Sequence, residues 1–180
     1  MRLKSTWYKK EKQHSPEETA GALGFIAWQI AVTRVKHMEG QGFRIDLPDR
    51  TLDVIAEFLI YIIQLTDRWA YEKYSDEDRG RLVVALAKKL ALTMHDNRLD
   101  IHKQGEFAGP FIDLVNQRMS DYAEFQYEPK EPAFPVYRYL AMNIQNAVEG
   151  KDGRWILEQV AELEGPEATD TLLRALNNLV

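Results

Sequence analysis

Two histidines and two aspartates fall within eight positions of this chain, in Met94-His95-Asp96-Asn97-Arg98-Leu99-Asp100-Ile101-His102. These residue types bind metals and move protons. On a helix, Asp96 and Asp100 stand one turn apart and could share a cation. His95 and His102 share a face but lie two turns apart, about 10 Å along the axis, with Leu99 in the turn between. A zinc pair on one helix wants histidines at i and i+4, a spacing this segment lacks. The metal-ligand nominees are therefore His95, Asp96 and Asp100. A metal-assisted hydrolase or lyase would use His95 and Asp96, with Glu57 or Asp67 as general base. The plainer reading is a helix C-terminus whose negative dipole end is complemented by the histidines and Arg98. That reading needs no cofactor, and none is assigned.

The His95-Asp96 doublet is superficially similar to that of the metal-dependent phosphohydrolases named for a His-Asp pair. The resemblance implies an earlier histidine and a later aspartate, for which His37 and Asp113 or Asp121 are the nominees. The gap from His37 to His95 is long, and membership is not claimed on this doublet. Other motifs fail on spacing. Asp76-Glu77-Asp78-Arg79-Gly80 has its glycine one position early for a calcium loop, and Ala87 stands where the bidentate glutamate belongs. The chain does not offer the two Glu-x-x-His pairs of a di-iron bundle. It has no phosphate-binding Gly-x-x-x-x-Gly-Lys, no Gly-x-Gly-x-x-Gly and no Gly-x-Ser-x-Gly. Two of its serines, Ser15 and Ser75, read as helix caps. There is no cysteine to serve as nucleophile, ligand or disulfide partner.

Two further groups of residues could act as sites. Asp53, Glu57, Gln64 and Asp67 share one narrow strip of an otherwise apolar helix, so those facing inward must be paired. Asp67 with Arg68, Arg79, Arg81 or Arg98 is the expected ion-pair network. The aromatic group Tyr122, Phe125, Tyr127, Phe134, Tyr137 and Tyr139 surrounds the segment Glu128 to Pro135, which holds three prolines. It reads either as a satellite core that pins a loop or as a groove for a partner peptide.

The elements that must position these residues are helices throughout. A chain of 180 residues, 45% apolar and 28% charged, has the composition of an ordinary globular domain. Ser15 and Pro16 start a first helix that runs to about Glu39, and Ala20 to Val35 is apolar around most of its circumference. Ala20, Gly24, Ala27 and Ala31 form a small-residue face for close helix packing, so Gly24→Leu is expected to be severely destabilising. A second helix, about 50–72, carries the apolar stretch Leu52 to Trp69. Ser75 caps a third that reaches Asn97 or beyond, and a fourth runs from about Pro110 to Phe125. A fifth covers about 136–149. Two short helices, about 153–164 and 166–179, are expected to fold as a hairpin at Gly165-Pro166. The predicted fold is all-α, a single domain over 15–180 of six or seven helices around two central apolar helices, with a C-terminal helical hairpin.

Residues 1–14 hold five basic residues against one acid, net +4, so the rest carries −9 of the total −5. This basic arm docks on its own acidic body or serves as a tether for nucleic acid or an anionic membrane surface, with Trp7 and Tyr8 as anchors, and the acidic body disfavours nucleic acid. No secretory signal core precedes the first helix, and the apolar run Phe58 to Ile63 is far short of the roughly 20 residues that span a bilayer. The expected location is the cytoplasm. With no catalytic motif intact, the leading expectation is a non-catalytic protein–protein interaction or adaptor module, or a homodimer. The alternatives are the metal-dependent hydrolase or lyase and nucleic-acid binding through the arm.

Overall fold

The computed structural model describes residues 14–45, 47–148 and 153–179. The basic arm, apart from His14, lies outside them. Helix α1 covers Pro16–Gly40, α2 Pro48–Tyr71, α3 Asp76–His102, α4 Ala108–Ala123 and α5 Phe134–Val148. A last run joins α6 (Gly153–Gln159), a π-helical turn (Val160–Glu164) and α7 (Gly165–Leu179). Among the described residues no strand forms beyond a single antiparallel bridge between Glu128 and Glu131.

Local chemistry sets the helix starts. Ser15 and Glu18 form a reciprocal capping box, with the Glu18 amide donating to Ser15 Oγ at 3.1 Å and the Ser15 amide to Glu18 Oε2 at 3.0 Å. The Ser75 hydroxyl accepts from the Asp78 amide at 3.1 Å. Glu106 performs the same task for α4, accepting from the amides of Ala108 and Gly109 at 2.7 and 3.0 Å. Helix α3 ends on Lys103, whose φ of +66° turns the backbone left-handed. It thus runs five residues past Asn97, and the whole His-Asp segment is helical.

The two apolar stretches both enter the core, but unequally. Every residue from Val54 to Thr66 of α2 is buried, and α2 touches α1, α3, α4, α5 and α7. Helix α1 buries one face, from Ala20 through Gly24 and Ala27 to Val35, while Phe25 remains 43% exposed. The small-residue face meets α3. A Cβ on Gly24 would sit 2.8 Å from Lys89 Cγ, inside contact distance. The buried residues form one continuous cluster contributed by all the helices.

The C-terminal hairpin is made by α5 packing against the continuous helix from Gly153, not by a break at Gly165-Pro166. Gly165 keeps right-handed helical angles, φ −64° and ψ −53°, and its amide donates to the Val160 carbonyl five residues back. A proline inside an α-helix lacks the amide and collides with the carbonyl four residues earlier. The wider π turn just before Pro166 relieves that collision, so the helix continues.

Candidate functional site

The polar strip of α2 organises the site. Glu57 is only 4% exposed, and the guanidinium of Arg118 on α4 grips it bidentately. Arg118 Nε donates to Glu57 Oε2 at 3.0 Å and Nη2 to Oε1 at 2.9 Å. That carboxylate raises the Arg118 pKa further, keeping it charged. One turn earlier, Arg98 of α3 bridges Asp53 (2.5 Å) and Asp49 (3.1 Å). Two turns beyond Glu57, Gln64 accepts from the Tyr127 hydroxyl.

Asp67 pairs with Arg79 at 3.3 Å, one of the arginines expected for it, whereas Arg81 engages Glu17 and Asp78. Arg68 instead donates to the Phe125 carbonyl at 2.6 Å and lies over the Tyr127 ring, tying the loop after α4 to α2.

Two clefts open along this strip. The larger, about 550 Å³, lies between α2, α3, α4 and α5. Apolar side chains from Met94, Phe107, Phe111, Leu114 and Ala147 line it beside both ion pairs, Asn143 and Asn146. Asn143 is 8% exposed, and its side chain interacts with the Tyr139 hydroxyl. The second cleft, about 440 Å³, is lined by Gln64, Asp67, Arg68, Tyr71, Arg79 and Tyr127, among others.

Burial in the second cleft raises the Asp67 pKa despite Arg79 and Arg68. The sign follows directly. A carboxyl with a higher pKa folded than unfolded opposes folding once ionised, and that opposition disappears as pH falls below its ordinary value. Asp67→Asn should therefore gain stability over the parent at neutral pH, with the gain vanishing in acid. Urea unfolding of both proteins across that range checks it, and a gain independent of pH would contradict it.

The histidines and aspartates of the α3 segment do not line these clefts, although its Met94 and Arg98 line the larger one. His95 Nδ1 accepts the Phe107 amide at 3.1 Å, and its ring faces the Phe107 ring, so it holds the start of α4. Asp96 and Asp100 are exposed. His102 Nε2 lies 2.8 Å from Asp49 Oδ1. Among the described residues no three histidine, aspartate or glutamate side chains are grouped as a metal ion requires. His37 meets Glu164 at 2.6 Å, Asp113 is exposed, and Asp121 accepts from the Tyr139 hydroxyl.

The aromatic group divides. Tyr122 is fully buried and packs edge-on to Tyr139 at 4.9 Å, with Phe125 against both rings. Tyr137 and the buried Tyr61 share Thr169 of α7, at 3.2 and 2.7 Å. Burial raises the pKa of Tyr61, Tyr122, Tyr127 and Tyr137, so these hydroxyls remain protonated. Phe134 stands apart, 56% exposed on the opposite end of the proline segment. It borders a groove of about 230 Å³ with Arg138, Arg154, Leu157, Glu158, Ala161 and Glu162.

Three inward-facing polar side chains were not anticipated from sequence: Arg118, Asn143 and Glu164. The first two carried a signal. Phe111, Val115, Arg118 and Tyr122 are spaced 4, 3 and 4, and so are Val136, Leu140, Asn143 and Ala147. A polar residue on an apolar stripe must find a partner or a ligand. Glu164 is wholly buried at the end of the π turn and is met by His37, Arg34 (3.4 Å) and Gln159 (2.8 Å).

No helix among the described residues is long and apolar enough to cross a membrane. No protein-family model, curated protein or solved structure matches the chain.

Proposed function

We propose that this protein is a non-catalytic interaction module that pairs with a second copy of itself through its C-terminal hairpin. One observation carries the reading: Phe134 in the wall of the hairpin groove, and Trp155 next in sequence to the groove-lining Arg154, are 56% and 64% exposed. Large aromatics left in water are typical of the centre of a protein interface. The rim also fits a like partner. Arg138 and Arg154 balance Glu158 and Glu162 in one patch, and a two-fold interface requires a surface complementary to itself. Elsewhere, Asp53, Glu57 and Asp67 are each held in an ion pair, so none stands as a free general base.

Sedimentation equilibrium over a micromolar concentration series tests the reading. The parent should dimerise, and Trp155→Glu with Phe134→Glu should leave a folded monomer. A parent that stays monomeric throughout, or a dimer indifferent to both changes, refutes it. A metal-dependent hydrolysis would instead require His95, Asp96 and a carboxylate to face one cleft, and the contacts of His95 support a packing role.

A further inference from the structure

We infer, resting on the self-pairing proposed above, that the two copies meet through α6 running antiparallel to its counterpart, with Arg154 of each copy answering Glu162 of the other. The charges along the hairpin groove carry the inference. Arg154, Glu158 and Glu162 recur every fourth residue, line one groove and are all exposed. One helical face therefore presents a cation at its start, an anion at its centre and a second anion at its end.

Little within a single copy uses these charges. Among the described residues Arg138 and Glu162 form no ion pair or hydrogen bond. Arg154 reaches Glu158 only at 3.9 Å, with its side chain 87% exposed. Elsewhere Arg79, Arg81 and Arg98 are each held by an acid at 3.3 Å or closer. The groove thus gathers unanswered charge of both signs, and charge complementarity selects a surface of the same composition as its partner.

Symmetry then selects the register. About a two-fold axis every contact is reciprocal, so a residue that meets a second one across the interface is met by it in return. Parallel helices would set Arg154 against Arg154 and Glu162 against Glu162. Antiparallel helices centred on Glu158 set Arg154 opposite Glu162 at both ends, because these positions lie equally far to either side of it. The same register puts Trp155 opposite Ala161, which also flank Glu158 equally. Ala161 lines the groove and is 6% exposed, so its short side chain leaves room for the indole. The two Glu158 carboxylates approach each other at the axis, where Arg138 of each copy, across the groove on α5, supplies the compensating charge.

Sedimentation equilibrium of the full-length parent, Arg154→Glu, Glu162→Arg and the variant carrying both changes tests the register. Both positions are exposed, so the fold is not at stake. Either single change sets like charges together at both ends of the pair and should weaken self-association at least about tenfold. An equimolar mixture of the two single variants restores opposite charges at both ends, and so does the double variant. Each should associate within about threefold of the parent. A dimeric parent whose single variants match it, or whose mixture or double variant fails to recover, overturns the antiparallel register and leaves self-pairing standing. A parent that stays monomeric overturns both.

Discussion

Arg118→Ala is expected to cost about 3–5 kcal/mol of folding stability, the usual penalty for stranding one member of a buried ion pair. Glu57 is 4% exposed on the most enclosed helix, and the guanidinium is what compensates its charge there. The loss comes mainly from the abandoned carboxylate rather than from the vanished attraction. The double variant Glu57→Leu with Arg118→Met should therefore recover most of it, because two apolar side chains of similar volume need no partner. Urea unfolding of the parent, Arg118→Ala, Arg118→Met, Glu57→Leu and the double variant closes the cycle. A loss below about 1 kcal/mol in Arg118→Ala would mean that the pair behaves like an exposed one.

Gly165→Leu should be the next most damaging change. A Cβ at this position would lie 2.6 Å from Tyr137 Cδ1 and 3.0 Å from the Val160 carbonyl oxygen. Neither neighbour yields easily. The Tyr137 hydroxyl donates to Thr169, its ring packs on Tyr61, and the Val160 carbonyl accepts the π-turn hydrogen bond. Overpacking of a fixed core costs about 1–3 kcal/mol, and replacing a helical glycine returns about 1 kcal/mol at most. The net loss expected for Gly165→Ala is about 1–2 kcal/mol, and more for leucine. Gly24→Leu should lose less, because its nearest neighbour is the stem of Lys89, an exposed side chain free to swing aside. Thermal melts of these variants rank them, and a Gly165→Ala protein as stable as the parent would show that the π turn adapts.

Much of the fold was legible because the signals are local. Ser15 with Glu18 and Ser75 with Asp78 lie three residues apart, and the α2 apolar pattern repeats within a few turns. The break predicted at Gly165-Pro166 did not occur, because relief comes from a π turn that only packing against Tyr137 and α1 stabilises. The His95–His102 segment has the residue types of a metal site, yet its side chains serve the start of α4, Asp49 and Asp53 instead. Spacing along one helix shows which residues share a face, not which element that face meets.

From the sequence alone came the helices, their caps, the enclosure of Leu52 to Trp69, and the requirement that its polar strip be paired. Periodicity and capping are enforced by backbone geometry over a single turn, so they need no knowledge of distant neighbours. Which partner answers each polar group was decided by tertiary structure. Arg118 stands 61 residues from Glu57, and Glu164 stands 127 from His37. Such pairs are selected by how whole helices pack, since a buried charge accepts whichever opposite charge the packing brings within reach.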